Sequence, residues 1–314
     1  MSRLSEEQQR QVEAATEMST QTKRALSPGL EAILYQAFPV LDHGFVRVVD
    51  YMGNDDAIVQ AARVSYGKGT KRKSEDEKLI NYLMKNRHTT PFEMAEIKLH
   101  VKLPIFVARQ WIRHRTASVN EYSARYSILD REFYVPLPEH LAAQSQSNRQ
   151  GRGGILQSEE SEVVVNTIRS DSENAYVHYL SMLNSDESGE EVDPARQGLA
   201  RELARINLSL NFYTQWYWKI NLHNLLNFLR LRADPHAQYE IRAYAAVILD
   251  LVQRWVPSTY EAFVQHQMQA LTLSRSEVGT LRGLLNDAKD SDAKDDRSAR
   301  LRSDLLARLG EIES

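Results

Sequence analysis

Arg113, His114 and Arg115 stand side by side, and Asn120, Glu121, Ser123, Ala124 and Arg125 follow closely. Surface turns usually spend such positions on Gly, Pro, Asn, Asp and Ser. Here they carry guanidiniums, an imidazole, a carboxamide, a carboxylate and a hydroxyl, groups that grip phosphates and polar heterocycles. A second block, Arg201 to Trp255, adds Arg205, Asn221, Asn227 and Arg232. If the side chains of Arg113, Arg115, Arg125, Arg205 and Arg232 converge, they need anions, and a phosphorylated ligand is a natural balance. Ser123 and the backbone N–H groups of 121–125 can complete a phosphate cradle. Asn120, Asn221 and Asn227 pair donors with acceptors, as the edge of a planar heterocycle requires.

Plainer readings stand beside these. Arg109 and Arg230 suit helix-dipole partners or surface ion pairs, and His114 suits a helix cap. Asn227 can face solvent, and His100, His140, His178 and His266 suit structural or exposed places. Density, rather than any single residue, sets the 110–125 stretch apart. No His-x-x-x-His or comparable carboxylate set appears, so no metal site is expected.

Composition narrows the classes. The chain has 314 residues, no cysteine and a formal net charge of -3. That excludes a disulfide scaffold, a cysteine metal site and a thiolate nucleophile. No global basic field points to nucleic acid. No apolar run is long enough to span a bilayer, and 1–24 lacks the apolar core of a signal peptide. The expectation is a soluble, cytoplasmic protein without a membrane or nucleic-acid partner.

The elements that must position these residues follow from periodicity. Residues 1–25 suit a solvated tail or a loosely held helix. Phe45 to Asp50 alternates as a strand, and Asn54 or Asp55 caps a helix carrying Ile58, Ala61, Ala62 and Val64. The basic stretch Gly67 to Lys73 lacks P-loop glycine spacing and reads as a solvated loop. Asp76 to Lys85 suits a helix. Thr90, Pro91 and Glu93 have capping-box spacing, which leaves His88 unexplained. Ile97, Leu99 and Val101 alternate with Lys98, His100 and Lys102, a strand with one wet face. Pro104 starts a helix with Ile105, Ala108, Trp111 and Ile112 on one side, which delivers Gln110, Arg113 and His114 to its C-terminal end. Phe133 to Val135 suits a short strand. Gln144 to Glu162 reads as a mobile insertion or an interrupted helix, and Asn184 to Glu191 as an acidic loop. Residues 200–206 have a helical pattern, 208–220 suit a strand, and 221–232 suit a helix with Leu222, Leu225, Leu226 and Leu229 inward. Asp234-Pro235 is expected to cap the helix of Ile241, Tyr244, Ala245, Ile248, Leu251, Val252 and Trp255. Beyond Arg275 the chain is charged and helix-prone. No internal repeat is visible.

Taken together, these residues resemble a known family. Arg113-His-Arg115, seven residues, then Ser123 is the signature of the flavin-dependent thymidylate synthases. The likeness extends to Asp50-Tyr-Met-Gly53, Ala62 to Gly67, His88 to Glu93, Asn227 to Asp234 and Ala237 to Arg242, and covers roughly positions 44–265. It implies an α+β fold, a twisted mixed β-sheet surrounded by helices. The implied layout is an N-terminal extension at 1–40, a catalytic domain at 41–270 and a charged helical or disordered tail at 271–314.

The implied reaction is methylation of dUMP at C5 to dTMP. Methylenetetrahydrofolate is the carbon donor, and FAD reduced by NADPH supplies the hydride. The lack of cysteine agrees, because the unrelated thymidylate synthases need a thiolate nucleophile. By resemblance, Gln110, Arg113, Glu121, Ser123, Ala124, Arg125, Arg205 and Arg232 bind the nucleotide, with Ser123, Arg125 and Arg205 at its phosphate. Arg232 resembles the catalytic cation at the uracil edge, where charge builds on N3 and O4 as C5 becomes nucleophilic. His88, Thr90, Arg113, His114, Arg115, Asn120, Glu121, Asn221, His223 and Asn227 are similar to FAD-binding positions. Many members read Asn-x-Arg where this chain has Asn221-Leu-His223, and histidine is shorter and only partly charged near neutral pH. The resemblance also implies a homotetramer with active sites shared between chains. A nucleotide- or RNA-binding protein using the same arginines and the aromatic run Trp216 to Trp218 is the main competing class. A member that binds FAD without turnover is another.

Overall fold

The central strand of the sheet is the one with the cleanest alternation, and the rest of the fold is built out from it. The structure is a computed structural model and describes residues 4, 6–19, 21–64, 73–146, 152–287 and 305. Two units are distinguished, 1–268 and 269–314.

The first unit opens with helices α1 (Glu6–Glu17) and α2 (Pro28–Glu31) and strands β1 (Phe38–Val40) and β2 (Gly44–Met52). Helix α3 (Asp55–Arg63) follows, with Asn54 as its cap: its side chain accepts from Ala57 N at 3.2 Å. Helix α4 (Lys73–Lys85) begins at the last residue of the basic loop, whose other residues lie outside the described ones. Then come β3 (Glu96–Pro104), α5 (Ile105–Trp111) and β4 (Ser118–Glu121). A ribbon of β5 (Ala142–Gln144) and β6 (Arg152–Ile155) leads to α6 (Ser158–Leu183). The unit closes with α7 (Arg201–Ala204), β7 (Tyr213–Asn221), α8 (Leu222–Arg232), α9 (Tyr239–Trp255) and α10 (Pro257–Phe263).

The sheet order is β1-β2-β3-β7-β4. All four ladders are antiparallel, so the α+β class holds but the sheet itself is not mixed. β3 and β7 pair over their whole length, from Glu96 opposite Asn221 to Pro104 opposite Tyr213. One sheet face carries Ile97, Leu99, Val101, Trp216 and Trp218 into the core with α5, α8 and α9. Trp111 of α5 stands edge-on to Trp216 at 5.8 Å and Trp218 at 5.1 Å. Burying such large rings dominates the energetics of a core.

Several expectations change here. The face of β3 expected to be wet is dry over its second half: His100 and Lys102 are buried. Phe45 and Tyr217 pack against the His100 ring, and Arg47, Gln215 and Glu132 supply the polar partners of the two residues. Thr90 does not cap an α-helix. Thr90–Met94 is one 3-10 turn preceded by Thr89 in helical conformation, with no side-chain cap bond. Asp234 does not cap α9, which starts at Tyr239; it closes a local turn by accepting from His236 N at 2.8 Å. Phe133 forms a single bridge to Phe212 rather than a strand.

The described residues of 144–162 form the end of β5, β6 and the start of a helix, not an interrupted helix. That helix, α6, was not anticipated because its inward stripe mixes Ser161 and Ser172 with Tyr176 and Tyr179. A half-polar stripe hides the helical period. Ser172 satisfies its hydroxyl on Ile168 O at 2.7 Å. In the second unit, α11 (Arg275–Asp287) begins with the capping box that 90–93 lacks. Ser274 N donates to Glu277 Oε2 at 2.7 Å, and Glu277 N donates to Ser274 Oγ at 3.4 Å.

Candidate functional site

Strand β4 lies at the sheet edge and hands its chain directly to the signature loop. Glu121, its last residue, pairs opposite Trp216, and Tyr122 N donates to Gln215 O at 2.8 Å. The loop is thereby tied to β7 at its root. Ser123 turns the chain by accepting Tyr126 N on its carbonyl at 3.1 Å. Its hydroxyl accepts from Arg125 Nε at 3.2 Å. Ala124 is buried beneath.

Arg205, in the 3-10 turn that follows α7, comes to the same place. Glu121, Ser123, Ala124, Arg125 and Arg205 line one cleft of about 380 Å³. Neither Arg125 nor Arg205 has a carboxylate partner among the described residues; Arg205 Nε donates only to Glu202 O at 3.3 Å. Two unbalanced guanidiniums and a hydroxyl make an anion-binding end. The sequence reading missed Tyr213 and Thr214, which line the cleft from β7. Thr214 Oγ1 donates to Glu121 Oε1 at 2.8 Å and holds that carboxylate in the cleft. Only the strand pairing brings the two together, so no local motif signals it.

Gln110 and Arg232 meet elsewhere, where the C-terminal ends of α5 and α8 converge. Arg232 Nη2 donates to Gln110 O at 3.5 Å. Its Nε and the Gln110 Oε1 are buried without a hydrogen-bond partner among the described residues. Burial lowers the Arg232 pKa from its ordinary value. His114 stands edge-on to Phe228 at 5.0 Å. Burial first, then the charge of Arg232, lowers its pKa. Both causes disfavour the charged imidazole there. Arg113 and Arg115 lie past the end of α5, exposed, with no ion pair among the described residues.

The remaining predicted residues disperse. Asn221 caps α8, accepting from Asn224 N at 2.9 Å, so its oxygen is already engaged. His223 is half-buried in the first turn of α8, and the turn carrying Thr90 packs against the same helix. His88 is exposed and edge-on to Tyr82 at 5.7 Å. Asn120 is exposed on β4, and Asn227 is exposed and accepts from Arg230 at 3.4 Å. Trp216 and Trp218 are buried, so the aromatic run offers no stacking platform beyond Tyr217.

Comparison with known proteins decides among the classes. Residues 47–258 match the family described as thymidylate synthase complementing protein. The flavin-dependent thymidylate synthase of Rickettsia bellii is 60% identical over 273 residues, covering 87% of this chain and 93% of its own. That of Ruegeria pomeroyi is 60% identical over 282 residues, covering 90% and 91%. The chain belongs to the flavin-dependent thymidylate synthase family. A solved structure of the UMP/dUMP methylase PolB from Streptomyces cacaoi, bound with 5-Br dUMP, superposes with a TM-score of 0.63 at 31% identity. It covers 74% of this chain and 99% of that one.

The residues present fit a flavin in a flavin-dependent thymidylate synthase. Arg113 and Arg115 leave cationic charge for a diphosphate, and the orphaned Gln110 and Arg232 atoms await polar partners. A buried polar group without a partner costs about 1–3 kcal/mol, so such atoms mark places where something else binds.

Proposed function

We propose that the chain methylates dUMP at C5 to give dTMP, taking the carbon from methylenetetrahydrofolate and reducing equivalents from NADPH through FAD. The observation that carries this reading is the cleft that gathers Glu121, Ser123, Ala124, Arg125 and Arg205. Arg125, Arg205 and Ser123 bind the nucleotide phosphate. Glu121, fixed by Thr214, accepts from the nucleoside. Arg232 and Gln110 take the uracil edge: the guanidinium stabilises charge building on N3 and O4, which makes C5 nucleophilic. An arginine keeps its charge even when partly buried. The flavin, when bound, supplies the hydride that completes the methyl group. Arg113, His114, Arg115, Asn120, Asn227 and the α8 start with Asn221 and His223 hold it, with Thr90 on the turn packed against that helix and His88 just before that turn.

Arg232, Gln110 and Arg113 do not line the phosphate cleft of their own chain. That separation supports a homotetramer in which cleft and cation come from different chains. Residues 41–270 form the catalytic domain, flanked by the N-terminal extension and the C-terminal tail. No described helix is long and apolar enough to cross a membrane, which fits work in the cytoplasm.

The test is an absorption spectrum of the purified protein, repeated anaerobically with NADPH, with and without dUMP, followed by an assay for dTMP. Flavin bands that bleach and dTMP that appears only with methylenetetrahydrofolate are expected. No flavin after adding excess FAD would overturn the reading.

A further inference from the structure

The ribbon β5–β6 has no part in the site described above, yet its strongest contacts converge on the chain that follows Arg232. Glu240, in the first turn of α9, is buried, with only 5% of its surface exposed. A buried carboxylate is tolerated only when it is paired and hydrogen-bonded. Arg152 of the ribbon meets it with one nitrogen, Nη2, at 2.8 Å from Oε2 and 3.2 Å from Oε1. Gln238 Nε2 donates to Oε2 at 2.8 Å, and Tyr134 Oη donates to Oε1 at 3.3 Å. Arg152 Nη1 also donates to His140 O at 3.3 Å, and the His140 ring stacks on Tyr239 at 3.6 Å. Two side chains, Arg152 at the first residue of β6 and His140 just before β5, thus grip two successive residues at the start of α9.

The segment they grip is the return from α8 to α9, residues 233–238, which begins directly after Arg232. Its own ties are local: Asp234 to His236, and Arg242 Nη1 donating to Pro235 O at 2.6 Å. Among the described residues, Arg152 makes the one ion pair that ties the far end of this turn to a distant part of the chain, and Tyr134 adds a neutral hydrogen bond. Among the described residues Arg232 itself has one long bond, to Gln110 O, and an Nε without a partner. A group so weakly held depends on the backbone that carries it.

We propose that Arg152 and Glu240 are positioning residues: through them the ribbon clamps the 233–238 turn and fixes Arg232 for the reaction. The proposal rests on the role given to Arg232 above. Glu240 keeps two neutral donors and a place at a helix N-terminus without Arg152, so Arg152→Ala should fold.

The experiment compares wild type, Arg152→Ala and Arg152→Lys, each as full-length protein loaded with FAD. Hydrogen exchange of the 233–242 amides should quicken in Arg152→Ala, and kcat for dTMP formation should fall about tenfold, less than the ~100-fold that a misplacement of about 1 Å can cost. Flavin retention and the KM for dUMP should stay within about twofold, because the clamp touches neither cleft nor flavin residues. Arg152→Lys, which restores a charged donor, should recover most of kcat. Unchanged exchange at 233–242 would overturn the clamp. Faster exchange with unchanged kcat would overturn its role in catalysis. Wild-type protein that forms no dTMP would instead sink the functional reading, while the exchange difference would still decide whether the clamp exists.

Discussion

The phosphate cleft and the Arg232 corner are built on opposite principles. The cleft is braced within one chain, with only its two guanidiniums left for an anion. Glu121 has Thr214, Ser123 has Arg125, and the loop root has the Gln215 carbonyl. The Arg232 corner is unfinished: Arg232 Nε and Gln110 Oε1 are buried without partners among the described residues. A binding site that is braced before its ligand arrives loses little on ordering it. A cation left short of partners is poised to act on charge that develops later. The difference separates holding the nucleotide from activating it.

The sharpest way to break that contrast is Arg232→Ala. Turnover should fall about 10²- to 10³-fold, the usual cost of a lost transition-state donor, with flavin still bound. Near-normal dTMP formation in single-turnover assays would mean the unfinished corner does not react. Next in size is Arg205→Ala. It should raise the KM for dUMP about 10- to 100-fold, as expected for a lost charged hydrogen bond, and leave kcat less affected. Steady-state kinetics check it; a change confined to kcat would put catalysis in the cleft after all.

Thr214→Val tests the finish of the cleft on a finer scale. Its isosteric loss of one hydroxyl should raise KM about three- to tenfold, with Thr214→Ser close to wild type. Identical kinetics in all three proteins would show that Glu121 needs no anchor.

The last effect is absent at neutral pH. His100 accepts from Arg47 Nε at 2.9 Å on Nδ1, contacts Gln215 Oε1 at 2.9 Å through Nε2, and lies in the floor that roots the loop. Burial, then the charge of Arg47, lowers its pKa to about 4. The unfolded chain therefore takes up this proton first, so stability is lost as pH falls from ~6.5 to about 4 and is flat above that range. His100→Gln, which keeps an acceptor for Arg47, should flatten that slope in thermal melts across the window. Parallel curves for the two proteins would remove His100 from the acid response.

How much of this was legible follows from where each signal resides. The strand of Ile97, Leu99 and Val101 and the helix of Leu222, Leu225, Leu226 and Leu229 announce themselves by period, and all seven side chains are buried. The cleft residues 121–125 were visible because their chemistry is concentrated in one loop, and Arg205 because the family resemblance pointed to it. Thr214 was invisible: its partner is 93 residues away and meets it only through strand pairing. Helix α6 was hidden by serines on its inward face, and the Thr90 box failed because only one 3-10 turn formed there. His100 looked exposed because alternation shows which face a residue is on, not what covers that face.

All four tryptophans of the chain, Trp111, Trp216, Trp218 and Trp255, are buried, and the first three are in ring contact beneath α5. The intrinsic fluorescence of the protein therefore comes from one shielded core. Its emission should be blue-shifted and poorly quenched by iodide. A red shift would show that at least one of these rings had met solvent, and in a Trp255→Phe variant it would report on the cluster under the helix leading to Arg113, read by light alone without a label.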